Sequence, residues 1–320
     1  MDYAKAGVDI AARDSALTGL IDELRKTMRN RKVMMDIGHY ANLIEFGDKA
    51  LALSTDGVGT KVLIAKQLKD YTTIGIDCVA MNVNDVICVG AEPIAMVDYI
   101  TIEKPDERIL IEIATGLRAG ADEASIAIVG GETAIMPEVV NGIDLAGTCL
   151  GIVDKDKITD GSAIEEGDVL LGLESNGIHS NGLTLARKVL DMNDENAREL
   201  LKPTRIYVRP VLELLKKVKV KGLAHITGGG IRNLKRLKRG IGFEIDNWPD
   251  ITNIFLKIME AGVSEAEMFK TFNMGIGFCI VVSEKDAKSA MNLLKNYKPC
   301  ILGRAVNSAS NEITLKGLSF

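Results

Sequence analysis

Apolar residues return every three or four positions between Ser15 and Met28, at Leu17, Leu20, Ile21, Leu24 and Met28. That spacing predicts an amphipathic helix with Ser15 available as its cap. Further on the pattern shortens. Ala50–Ser54, Ile94–Ile102, Ser125–Val129 and Leu145–Val153 are brief apolar or alternating runs bounded by Gly, Pro or acidic residues, which predicts strands. Helical spacing at Ile76–Val89 and Glu107–Leu117 falls between them. The polar stretch from Asp154 to Asp168 holds almost no apolar residue and marks a domain boundary near residue 160. After it, strands are predicted at Val169–Leu173, Leu223–Ile226, Ile241–Ile245, Gly277–Val282 and Cys300–Val306, alternating with helices at Gly182–Asp191, Arg205–Val218, Ile251–Ala261 and Glu284–Leu294. The class expected is α/β (α+β) in two domains, residues 1–160 and 161–320.

Length agrees, since 320 residues at roughly 150 per domain make two units. With 39 basic and 44 acidic residues the net charge is −5, so no global positive field gathers nucleic acid or an anionic membrane. The longest apolar runs, such as Ile276–Val282, are too short to span a bilayer, and Met1-Asp2-Tyr3-Ala4-Lys5 lacks the basic-then-apolar order of a signal peptide. The five cysteines include no CxxC pair and sit in apolar stretches, as reduced buried thiols do. A cytoplasmic enzyme acting on a small molecule is the expectation.

The densest local signal is Ser54-Thr55-Asp56-Gly57-Val58-Gly59-Thr60-Lys61, after a predicted strand. Gly57 and Gly59 let backbone amides approach an anion, Thr60 offers a hydroxyl, Lys61 a point charge and Asp56 a hard oxygen for a divalent cation. It is neither a Walker A loop nor a dinucleotide fingerprint, and a plain glycine-rich turn with a solvated lysine is the competing reading. Asp85, in Asn82-Val83-Asn84-Asp85, and Glu132, in Gly130-Gly131-Glu132-Thr133, stand at the ends of apolar elements, where carboxylates can converge on one Mg²⁺. A turn cap and a surface ion pair are the alternatives. Two further junctions combine Gly with His and hydroxyl or amide residues: Gly177-Ile178-His179-Ser180-Asn181-Gly182 before a helix, and His225-Ile226-Thr227-Gly228-Gly229-Gly230 after a strand. Each suits a phosphate or a close backbone approach, and the first is equally a helix cap. No HExxH, GxSxG or Cys–His neighbour points to zinc or to acyl transfer.

Taken in order, Tyr3–Asp9, Ser54–Lys61, Ile74–Asp85, Gly90-Ala91-Glu92-Pro93, Gly130–Ala134, His179–Gly182, Pro203-Thr204-Arg205-Ile206-Tyr207 and His225–Gly230 resemble the AIR synthetase (phosphoribosylformylglycinamidine cyclo-ligase) family over nearly the whole chain. The resemblance implies ATP-dependent closure of formylglycinamidine ribonucleotide to aminoimidazole ribonucleotide with release of ADP and phosphate. It also implies a homodimer whose N-terminal domains complete a β-barrel, followed by a C-terminal α/β domain. On that pattern Asp56, Asp85 and Glu132 hold Mg²⁺, and Gly57, Gly59, Thr60 and Lys61 cover the phosphates. His179, Ser180, Asn181, Thr227, Gly228 and Gly229 face the ribonucleotide, His225 moves a proton, and Lys5 and Asp9 close over the nucleotide. Lys61 and Asp85 join His225 as the expected catalytic groups. Met274 stands where relatives often carry cysteine, and Asp36–Asn42 replaces a glycine-rich run. Thiamine-monophosphate kinase and formylglycinamidine ribonucleotide synthase share the ATP-binding half and form the alternative, with a nucleotide-binding protein that has lost turnover as the reading from another class.

Overall fold

The computed structural model describes residues 10–320; Lys5 and Asp9 lie outside the described residues. The first half runs α1 (Ile10–Arg25), β1 (Asn42–Phe46), β2 (Lys49–Gly57), α2 (Lys61–Leu68), α3 (Thr72–Ile87), β3 (Glu92–Ile102), α4 (Glu107–Ala124), β4 (Ala127–Ile135) and β5 (Ile143–Asp154). Its strands form one sheet in the order β1-β2-β5-β3-β4, antiparallel except for β3 with β4. Strand alternation decides the faces. Ala50, Ala52 and Ser54 turn inward to α3, while Leu51, Leu53 and Thr55 turn outward. The outward face stays apolar and open, with Leu53, Val97 and Tyr99 each more than two-fifths exposed at 42%, 42% and 45%. A side chain on Gly116 would stand 1.8 Å from the Thr72 carbonyl oxygen, so only glycine lets α4 press this closely on α3.

The second half runs β6 (Val169–Glu174), α5 (Leu183–Val189), α6 (Asp194–Leu201), α7 (Val208–Leu215), β7 (Val220–His225), β8 (Ile241–Ile245), α8 (Asn253–Glu260), α9 (Glu265–Thr271), β9 (Ile276–Val282), α10 (Glu284–Leu293), β10 (Cys300–Asn307), β11 (Ile313–Leu315) and β12 (Leu318–Ser319). The sheet order is β12-β11-β8-β10-β6-β9-β7. β9 is buried along its whole length, which is why Ile276–Val282 reads as a continuous apolar run. Asn193 and Ser264 cap α6 and α9 with side-chain oxygens, as Asp106 caps α4.

Within one chain both sheets are open; the barrel expected spans two chains. The stretch Gly130–Thr133, expected to follow a strand ending at Val129, instead continues strand β4 along the sheet edge. The apolar core runs without a break through both halves, with α3 touching β2, β3 and β5 on one side and α7 and β7 on the other.

Candidate active site

Helix α3 is the axis of the site, because its polar residues are spent on contacts with other elements. Asn82 is fully buried and exchanges hydrogen bonds with the backbone of Asp56: its Oδ1 accepts from the Asp56 N–H (2.9 Å) and its Nδ2 donates to the Asp56 carbonyl (3.1 Å). That pins the end of β2. Asn84, also fully buried, donates to the Arg205 carbonyl and accepts from the Tyr207 N–H, both at 2.9 Å, and so fixes the segment entering α7.

Asp85 follows. Its Oδ1 accepts from His225 Nδ1 at 2.8 Å, which leaves His225 Nε2 as an acceptor facing Asn84 Nδ2 at 3.5 Å. His225 is fully buried, and its hydrogen bond to Asp85 holds that carboxylate in place. Asp56 lies near enough to feel that carboxylate: burial first, and then the Asp85 charge, pushes its carboxyl up to about 6. Two acids crowd one poorly solvated spot, and a divalent cation would relieve both. Two carboxylates plus phosphate oxygens are what Mg²⁺ commonly takes, so this pair fits the ion.

Glu132 does not join them. Asp56, Gly147, Asp98 and Gly131 share one row across the sheet, whose side chains face α3. Glu132 pairs with Tyr99 in the next row and is therefore exposed on the opposite face. The expected meeting of three acids within one chain is corrected to a pair, and no group of three or more His, Cys, Asp or Glu among the described residues could hold a metal.

Lys61 is also corrected. Its ammonium does not stand over a phosphate loop; it is fully buried, 2.8 Å from Asp77 Oδ2, and donates to Asp77 Oδ1 at 2.9 Å and to the Lys202 carbonyl at 2.6 Å. Burial lowers its pKa and the Asp77 carboxylate opposes that shift. Lys61 opens α2, and the helix turns that position toward α3 and residues 202–204. Thr60, beside it, contacts Thr184 at the start of α5 (Oγ1 to Oγ1, 3.1 Å), so the loop Gly57–Thr60 abuts the second half of the chain.

The two glycine junctions come together as well. Asn181 Oδ1 would lie 2.8 Å from a Cβ on Gly228, and Thr227 Oγ1 accepts from Asn233 Nδ2 at 3.4 Å. Gly229 continues this turn at φ +111°. His179 Nε2 accepts from the N–H groups of Asn176 (3.1 Å) and Arg205 (3.5 Å), so its proton sits on Nδ1, a buried donor with no acceptor in the protein. Asn181 Nδ2 is a second such donor. Burial holds the His179 pKa well below the usual histidine value, so the ring is neutral. Ser180 Oγ lies 3.1 Å from Thr204 Oγ1. Asp77 and Thr204 lie inside the stretches Ile74–Asp85 and Pro203–Tyr207 that carry the resemblance but have no role in that reading, although an acid inside the apolar run of α3 signals a buried partner.

Residues 38–153 match the AIR synthase related protein N-terminal domain and residues 165–316 its C-terminal domain. The chain belongs to the AIR synthase related family. Within the family, it is 55% identical to the phosphoribosylformylglycinamidine cyclo-ligase of Pyrococcus furiosus over 93% of this chain and 92% of that protein. The cyclo-ligase of Thermococcus kodakarensis is 49% identical over 99% of both. Among solved structures, AaThiL complexed with AMPPCP and TMP superposes with a TM-score of 0.69 at 18% identity, covering 94% of this chain and 93% of that one, which shows a shared fold. This AIR synthase related chain thus has an acid pair on α3 and β2 and, linked to it through Asn84 and Arg205, the buried donor His179 Nδ1, with Asn181 Nδ2 a second donor without an acceptor.

Proposed function

We propose that the protein is a phosphoribosylformylglycinamidine cyclo-ligase, closing formylglycinamidine ribonucleotide to aminoimidazole ribonucleotide with ATP. The observation that carries this reading is the 55% identity over 93% of the chain to a protein of that name. ATP transfers its terminal phosphoryl group to the formyl amide oxygen; the amidine nitrogen then attacks that carbon, the C–O bond breaks and phosphate leaves. Such a transfer rests on positioning and charge neutralisation, and the residues gathered around α3 are of the types it needs. Asp56 and Asp85 would hold Mg²⁺, which would supply the neutralising charge for the triphosphate. His225 keeps Asp85 aimed, and Gly57, Gly59 and Thr60 cover the phosphates. The His179 and Asn181 donors, Ser180 and the Thr227–Gly229 turn hold the ribonucleotide.

The same reading takes the protein as a homodimer of two-domain chains divided near residue 160. The open face bearing Leu53, Val97 and Tyr99 supports it, because so apolar a sheet face is commonly covered, and a second copy would complete a barrel there. Glu132 shares that face. No helix among the described residues is long and apolar enough to cross a membrane, and we place the enzyme in the cytoplasm with its substrates. The test is formation of aminoimidazole ribonucleotide from ATP, Mg²⁺ and formylglycinamidine ribonucleotide, with ADP release measured with and without the ribonucleotide. Ring formation matched by ADP supports the reading. ADP release indifferent to the ribonucleotide, or none at all, overturns it, and light scattering at elution decides the dimer.

A further inference from the structure

We propose that Asp77 is a positioning residue: through Thr204 it splints the substrate-side turn Asn176–Asn181 to the loop Gly57–Lys61. The argument begins with burial. Asp77 and Lys61 have fully buried side chains, and a carboxylate so placed is tolerated only when opposite charge and hydrogen bonds surround it. Asp77 receives both, from opposite halves of the chain. Lys61 Nζ donates to its Oδ1 from the N-terminal half, and the Thr204 N–H (2.7 Å) and Thr204 Oγ1 (2.6 Å) donate to the same oxygen from the C-terminal half.

The strip 202–205 passes this anchorage on. The Lys202 carbonyl accepts from Lys61, and the Pro203 carbonyl accepts from Asn176 Nδ2 at 2.9 Å. Thr204 Oγ1 has given its one proton to Asp77, so in the 3.1 Å contact with Ser180 the serine donates. The Arg205 N–H donates to His179 Nε2 and thereby helps keep the ring proton on Nδ1. The turn needs such support, because His179 is held at φ +62°, a left-handed conformation that is strained for a residue with a side chain. Asp77 touches no reacting atom; its effect reaches the substrate only through the turn. This inference rests on the proposed function for its kinetic consequence, though not for its structural one.

Thr204→Val removes the hydroxyl while leaving the Thr204 N–H and Lys61 on Asp77, and Thr204→Ser restores it. In Thr204→Val we expect amide hydrogen exchange across residues 176–181 to quicken about 10-fold, as loss of one hydrogen bond to a charged group allows. The KM for formylglycinamidine ribonucleotide should rise by a similar factor while the KM for ATP stays within about 2-fold, and Thr204→Ser should match the wild type in both. Unchanged exchange in Thr204→Val, equal rises in both KM values, or a serine variant as impaired as valine would each overturn the splint. A wild-type protein that forms no aminoimidazole ribonucleotide sinks the functional reading alone, and the exchange measurement then decides the splint by itself.

Discussion

Helix α3 carries two acids about two turns apart, and the protein treats them in opposite ways. Asp77 is sealed from solvent and surrounded by a lysine and a threonine. Asp85 keeps 14% of its side chain exposed, takes its hydrogen bond from a histidine, and faces the charge of a second acid, Asp56. The first arrangement spends its attraction inside the molecule. The second leaves attraction unspent, which is the condition for binding a cation and the phosphates it carries. A buried acid with its own cation therefore marks architecture, and a buried acid beside another acid marks a site.

The largest test removes the sealed acid. Asp77→Ala leaves the Lys61 ammonium buried without a counter-charge, and stability should fall by about 3–5 kcal/mol in urea or guanidinium unfolding. Asp85→Asn, which keeps the shape and lowers like-charge crowding, should cost less than about 1 kcal/mol. Equal losses at the two positions would erase the distinction between them.

A second test uses acid. His39 has both ring nitrogens buried without partners, and burial first, then the Arg236 charge, lowers its pKa to about 4, against a small opposing effect of Asp160. The unfolded chain takes up this proton near pH 6.5 and the folded chain only near 4. Its contribution is therefore complete above about pH 6.5 and is lost as pH falls toward 4, by about 2 kcal/mol between pH 7.5 and 5. His179 adds in the same direction, whereas Asp56, raised to about 6, opposes it by gaining stability as pH falls through the same window. The His39 share is therefore read from the difference between the wild type and a His39 variant. Thermal melts should show the loss, and His39→Phe should flatten its own share of the slope; an unaltered slope would mean that His39 does not titrate this way.

Much of this was legible in the pattern of residues. Strand Ile241–Ile245 is found as expected, and Glu284–Leu294 and Cys300–Val306 are found to within a residue at one end, because apolar spacing and flanking polar residues agree there. Asp56 and Asp85 were recognisable as acids at the ends of apolar elements. What failed was direction. Lys61 follows a glycine loop in sequence, yet being first in α2 it points inward, and only the packing of α3 reveals that. Gly130-Gly131 reads as the end of a strand, but paired to β3 it remains strand, and the two-residue period then sends Glu132 to the far face. Short β1 escaped notice because Asn-Leu-Ile-Glu-Phe does not alternate strictly between apolar and polar residues, and β11 because three residues carry too little pattern.

At the open site the expected loss is catalytic. Asp85→Asn or Asp56→Asn should lower Mg²⁺-dependent turnover at least ~10-fold, about 1.4 kcal/mol of barrier, through lost charge neutralisation. Initial rates across a Mg²⁺ titration check this. Wild-type rates in either variant would remove that residue from the metal's surroundings and leave the acid pair without a function.

The smallest effect belongs to the third acid, which has neither a sealed partner nor a crowded neighbour. Glu132 is exposed at a sheet edge, so Glu132→Gln should change stability by less than about 0.5 kcal/mol. Its charge can act on turnover only from the face a second copy would cover, where distance and screening weaken it, and a drop of about 3-fold is expected. Rates and unfolding of the same preparation check both. A drop as deep as that of Asp85→Asn would place Glu132 in direct contact with the nucleotide's metal, in the cleft of a neighbouring copy, and the pair of acids would become a set shared across two chains. No drop at all would leave it a solvated edge residue, and the contrast would then rest on Asp77 and Asp85 alone.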